Sequence, residues 1–231
     1  FKRQTVRVIE LTEKADEDAR REMFDRLNSG GTKLVAMEVR RGTQDGPFLK
    51  QVIEPCADSD LFKEICPLSS RGVDRAEHYE FVLRFFAYAD NYMAFEKEVG
   101  LFLSEYLQQR NKSTDAIEFE KDKQNFKDVL DFVKIHFPNG FRRSTKHTSV
   151  PRIRFEAIAV GVALALRIQP DLVPEDVSQW LESDEFMKHT RSDASNSKPK
   201  VVNRIHFVRD NLLGRPVEYH KNTKTVEESA N

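Results

Sequence analysis

Between Arg75 and Gly214 the apolar residues return every three or four positions, segment after segment, and only packed amphipathic helices bury such a pattern. Val82, Phe85, Phe86 and Ala89 make one stripe, and Val99, Phe102, Leu103, Tyr106 and Leu107 a second. Phe119, Phe126, Val129, Leu130 and Val133 make a third, which stops before Pro138, Asn139 and Gly140. The most apolar segment carries Phe155, Ile158, Val162, Ala165 and Leu166 and is placed at the centre. Its small residues Ala159, Gly161, Ala163 and Ala165 allow neighbours to approach closely. A short helix holds Trp180, and Val201, Ile205, Val208 and Leu212 form the last one, ahead of Gly214 and Pro216. Tyr219 to Asn231 reads as a polar, frayed tail.

The N-terminal part has another character. Thr5 to Leu11 (TVRVIEL) reads as a strand buried on much of both faces. A lone strand leaves its backbone groups unpaired, and the rest of the chain offers no clear partner, so its neighbours are expected before Phe1. The non-Met start agrees with that expectation. Asp16 to Asn28 reads as a helix ended by Gly30 and Gly31, with Thr32 capping a next helix over Lys33 to Arg41, closed by Gly42. Pro47 starts a helix through Glu54, because proline is tolerated at the first helical position, and Asp58 to Ile65 is another, ended by Pro67.

Composition bounds the function. The charged residues are 32% of 231 but leave a net charge of −1, which excludes a uniformly basic nucleic-acid coat and leaves room for a local patch. No apolar run reaches the ~20 residues of a membrane helix; Ile158 to Ile168 is too short. No signal-peptide pattern is present. Cys56 and Cys66 are the only cysteines, make no zinc set, and are read as reduced thiols. The chain reads as soluble and cytoplasmic.

The segment Met23 to Arg41, MFDRLNSGGTKLVAMEVRR, ends one helix in Asn28, turns at Gly30 and Gly31 and opens another at Thr32. Backbone N–H groups and the Thr32 hydroxyl can converge there on an anion such as phosphate, with Arg26, Arg40 and Arg41 as supporting charges. The alternative is a plain corner between helices. It is not a P-loop, because no Gly-Lys-Ser/Thr follows.

The run from Val6 through Arg41, with MFDRLNSGGTKL followed by MEVRRG, resembles the N-terminal-domain family of GmrSD-type restriction endonucleases. The likeness continues more weakly through RAEHYEFVLRFFAY at Arg75 to Tyr88, PRIRFEAIAVGVALAL at Pro151 to Leu166, TRSDASNS at Thr190 to Ser197 and RIHFVRDNLLG at Arg204 to Gly214. It implies a fold similar to ParB and sulfiredoxin, and a glycine turn that grips nucleotide phosphates. Arg26, Asn28, Gly30, Gly31, Thr32 and Arg41 are then the nucleotide-binding residues, and a nucleoside triphosphate with Mg²⁺ the cofactor. It further implies restriction and anti-phage defence against DNA, with a nuclease domain or subunit as partner; the oligomeric state is left open, a homo-oligomer being one option. The family's Asp-Gly-Gln-Gln-Arg motif is absent from this sequence, so half of an NTPase site is expected here.

Other groupings stand beside it. His189, Asp193, Asn196 and His206 faintly suggest a metal-dependent His-Asn-His nuclease, yet no hairpin signal appears; the other reading is a capped inter-helix loop. Arg142, Arg143, Lys146 and His147, with Arg152 and Arg154 nearby, are the best nucleic-acid-binding cluster, a solvated loop being the alternative. Phe141 beside them is placed to stack on a base. Glu118, Glu120 and Asp122 read as a solvated helix face.

The expected architecture is mainly α: a ParB-like α/β remnant over residues 1–66, a helical bundle domain over 67–214, and a tail over 215–231. Function is expected in a nucleoside-triphosphate-binding component, NTPase activity being open, of a DNA-targeting defence system. The alternative is a non-catalytic helical module binding DNA or protein, with a degenerate nucleotide pocket.

Overall fold

The computed structural model describes residues 34–191 and 196–220. The expected strand at Thr5 to Leu11, the helix at Asp16 to Asn28, the glycine corner and the end of the tail lie outside the described residues. Those described are mainly helical and contain no strand.

Helix α1 (Ala36–Thr43) runs past Gly42, where the sequence placed its end, and closes at Gln44, whose N–H donates to Arg40 O. After Pro47 the chain is helical, but Leu49–Ile53 (α2) is a π-helical turn leading straight into α3 (Glu54–Asp58), beyond the expected end at Glu54. Pro55 gives the reason. It has no N–H, and its ring crowds the carbonyl four residues back, so the widened turn accommodates it. Helix α4 (Asp60–Ile65) starts at Ser59, whose hydroxyl accepts from Phe62 N, and α5 (Ser70–Asp74) starts at Ser69 in the same way.

The long helices follow the apolar stripes: α6 (Glu77–Asn91), α7 (Val99–Arg110), α8 (Ala116–His136) and α9 (Arg152–Ile168). Short helices α10 (Ser178–Leu181) and α11 (Asp184–His189) precede α12 (Lys198–Leu212). Helix α9 packs against α6, α8 and α12, which puts the most apolar segment at the centre.

One hydrophobic core extends from Met37 to Leu212, shared by residues on both sides of position 66. Its middle is a phenylalanine cluster. Phe62 meets Phe126 edge-on at 5.3 Å, and Phe155 stacks on Phe81 at 5.0 Å. Cys56 and Cys66 are buried free thiols; burial pushes Cys56 up to about 12 and Cys66 well above its ordinary value, so neither supplies a thiolate nucleophile. Among the described residues no helix is long and apolar enough to cross a membrane.

A chain of opposite charges runs through this core. Arg40 Nη1 donates to Glu80 at 2.9 Å, Arg84 Nε to Glu80 at 2.9 Å, and Arg84 Nη1 to Glu156 at 2.5 Å. Arg204 closes the chain on the other Glu156 oxygen. It ties α1, α6, α9 and α12 together. Arg40 also donates to Ser104 Oγ at 3.1 Å and to Gly100 O at 3.0 Å. This corrects its expected part as a supporting charge for an anion, because it is buried in the core with those partners.

Candidate anion-binding site

The basic loop is built on the end of α8. Phe137 is buried, Gly140 takes a left-handed φ of 56°, and a Cβ there would lie 2.7 Å from Ile65 O, so the turn requires glycine. Phe141 N donates to Ile65 O at 3.0 Å and Val150 N to Pro67 O at 2.9 Å, which pins the two ends of the loop to the last residue of α4 and to the chain just after it. Between those anchors Arg143, Lys146 and His147 are exposed and Arg142 is half-buried.

Phe141 corrects the sequence reading. Its ring is fully buried, 4.9 Å from Phe155, and it is closed to any base. What the loop does present is its carbonyl, which accepts from Arg154 Nε at 3.1 Å.

Arg154 is the unusual residue. It lies in the first turn of α9, only 5% exposed, with its guanidinium 5.0 Å from the Phe186 ring centroid. No acidic side chain among the described residues makes an ion pair with it. Burial, and then the charge of Arg143, push it down to about 10, which still leaves it cationic at neutral pH; the exposed Glu182 acts weakly the other way. A buried cation at the positive end of a helix opposes both solvation and the helix dipole, so the position favours an anion.

Arg154 lines a recess of about 60 Å³ with Arg142, Arg143, Asn139, Gly140, Ser178 and the carboxylate-bearing Glu182. Three arginines with one exposed carboxylate make a small anion seat, and guanidinium forks match phosphate oxygens. Lys146 and His147 are not part of the recess. His147 Nδ1 is bonded to Ser144 Oγ at 2.9 Å, and both remain on the exposed loop. Arg152 turns toward Glu77, 3.7 Å away.

The other sequence-derived positions separate from this site. Arg26, Asn28, Gly30, Gly31 and Thr32 lie outside the described residues. Arg41, exposed at the end of α1, donates to Glu54 at 3.0 and 3.2 Å and covers the Tyr79 ring at 4.2 Å.

Both histidines of the His-Asn-His grouping have other partners. His189 stacks on Tyr219 at 5.5 Å, whereas His206 is held between Tyr92 Oη at 3.0 Å and Glu218 O at 2.8 Å. Burial lowers both imidazoles, and Asp193 lies outside the described residues. His206, Asp210 and Glu218 place ligand atoms within 4.8 Å of one another. Asp210, however, accepts from Arg209 at 2.7 and 3.0 Å, from Arg215 at 2.9 Å and from Glu218 N at 3.0 Å. Arg209 and Arg215 already hold the Asp210 carboxylate, and the cluster ties the chain after α12 back onto that helix.

Comparisons with protein-family models, with curated proteins and with solved structures give no match. The functional reading therefore rests on the site and on the sequence motifs.

Proposed function

We propose that the chain is a helical nucleic-acid-binding module whose Arg142–Arg143–Arg154 recess holds a backbone phosphate. The supporting observation is Arg154, a buried guanidinium without an acidic partner, facing a recess with two more arginines. Such contacts are independent of sequence and sensitive to salt. No catalytic set accompanies them among the described residues, which favours a binding module over a self-contained nuclease.

The resemblance to GmrSD-type endonucleases supplies the setting: defence against foreign DNA, with a nucleoside triphosphate and Mg²⁺ bound at Arg26, Asn28, Gly30, Gly31, Thr32 and Arg41. In that setting the helical part carries the nucleotide state to DNA and to a nuclease domain or subunit. Asn28→Ala should then weaken nucleotide binding in calorimetry, and unchanged affinity removes Asn28 from the site.

The recess is tested by fluorescence anisotropy with a labelled oligonucleotide at low salt. Arg154→Leu should weaken binding on the order of tenfold, as loss of one charge-assisted phosphate contact does, and flatten the salt dependence by about one unit of slope. A thermal melt of the same variant is its folding control, since leucine relieves a buried charge but also removes the bond to Phe141 O. Glu182→Gln, which removes the carboxylate from the recess lining, should tighten binding. Parent-like binding by Arg154→Leu rejects the recess as the phosphate seat.

A further inference from the structure

Each cation of the arginine recess keeps hydrogen-bond donors unspent. Arg154 uses Nε on Phe141 O, and both its Nη groups are without a partner among the described residues, although the side chain is only 5% exposed. Arg142 uses Nε on Asn139 O at 3.5 Å and has no acidic partner among the described residues. Arg143 makes no ion pair among them either. The three guanidinium groups are graded in depth, with Arg143 exposed, Arg142 half-buried and Arg154 buried.

Size limits what can enter. A buried water needs at least roughly 10–15 Å³, so a recess of about 60 Å³ takes only a handful of water-sized groups. That suits a single phosphate group and leaves no room for a sugar or a base beside it.

Charge decides which phosphate fits best. The lining sets Arg142, Arg143 and Arg154 against the one carboxylate of Glu182, an excess of two positive charges. An internal phosphodiester brings a single negative charge and two free oxygens, and the sugars on either side hold it at the mouth. A terminal phosphomonoester brings nearly two charges and three free oxygens at neutral pH. It is also attached on one side only, so a strand end can carry it in as far as Arg154. Three guanidinium groups then have three oxygens to share.

We propose that the recess recognises the terminal phosphomonoester of a nucleic-acid strand in preference to its internal phosphates. The proposal rests on the phosphate-seat reading and narrows it to strand ends. Internal phosphates meet the rim at Arg143, whereas the end phosphate reaches the unspent Nη groups of Arg154. A 5′ and a 3′ phosphate carry the same chemistry, and binding to each separates the two sources.

The experiment measures fluorescence anisotropy of the whole chain with an internally labelled single-stranded oligonucleotide. The strand is 5′-phosphorylated, 3′-phosphorylated or hydroxyl-ended, and a hydroxyl-ended strand one nucleotide longer controls for added charge. At least one phosphorylated form should bind on the order of tenfold tighter than both hydroxyl-ended strands, as one further charge-assisted contact gives. Added inorganic phosphate, at matched ionic strength, should weaken the phosphorylated strand more than the hydroxyl-ended one. Arg154→Leu should erase the preference, with its thermal melt as folding control. Arg143→Gln, which changes an exposed side chain, should reduce it. Equal binding of phosphorylated and hydroxyl-ended strands by the parent overturns the proposal; if Arg154→Leu then weakens all of them alike, the phosphate seat itself stands. A preference that survives Arg154→Leu also overturns it, by placing the end phosphate elsewhere. Parent-like binding of every strand by Arg154→Leu removes the seat and the proposal together.

Discussion

Glu156→Gln should destabilise the protein by about 3–5 kcal/mol, the usual result of removing one partner from a buried ion pair. Glu156 is 1% exposed and takes Arg84 on one carboxylate oxygen and Arg204 on the other. With a neutral amide in its place, the carboxylate that Arg84 and Arg204 share is lost, and Arg84 keeps Glu80 alone as its carboxylate partner. In a chain of this size such a loss lowers the melting temperature on the order of 10 °C. Burial acts to raise the Glu156 carboxyl, but Arg204 and Arg84 outweigh it and hold it below the usual carboxylate range.

The sign of the pH dependence follows. A carboxyl depressed in the folded state contributes stability that is present above its unfolded pKa and is lost as pH falls through the folded value. Parent and Glu156→Gln should therefore differ most at neutral pH and converge below about pH 4, where the unfolded carboxyl also takes up its proton. Thermal melts across that range check the point; a gap that stays constant into acid would remove the carboxylate charge as its cause. Replacing Arg84, Glu156 and Arg204 together by apolar residues of similar size should cost far less than Glu156→Gln alone. Desolvating the set offsets most of its internal attraction.

The helices were legible because burial leaves a periodic trace. Every residue assigned to the Val82–Ala89 stripe is buried, and so are Phe119, Phe126, Val129, Leu130 and Val133. Periodicity says which face is covered, but not which charges meet across the core. Arg40 and Glu80 are separated by 40 residues and Arg84 and Glu156 by 72, so no local pattern shows their pairing. One signal was present: Glu156 is the single acid in the most apolar helix, and such a residue needs a buried cation. Arg154 left a similar trace, four residues before Ile158 and hence on a buried face of α9. Phe141 misled because a ring beside arginines fits a base stack and a core anchor equally well. Only the backbone bond to Ile65 O decides between them. The glycine corner at Gly30 and Gly31 lies before the described residues, which begin at Leu34.

Gly161→Ala should destabilise by about 1–3 kcal/mol, although alanine is the better helix former by about 1 kcal/mol. Gly161 lies where α9 and α12 come together. A Cβ there would stand 2.5 Å from Val208 Cβ, 2.7 Å from its Cγ1 and 3.1 Å from Arg209 N. A buried β-branched side chain and a backbone nitrogen have little room to give, so the helices must separate. Separation would also draw Arg204 on α12 away from Glu156 on α9, and the packing strain then reaches the charge chain. Val208→Ala removes the two methyl groups and should itself cost about 0.5–2 kcal/mol through lost burial. In that background Gly161→Ala should cost less than in the parent, because the Cγ1 contact is gone, but it should still destabilise, because the Cβ of residue 208 and Arg209 N still stand against the new methyl group. A thermal-denaturation double-mutant cycle measures this coupling directly. If Gly161→Ala destabilises both backgrounds equally, steric contact with Val208 is not what requires glycine at the crossing.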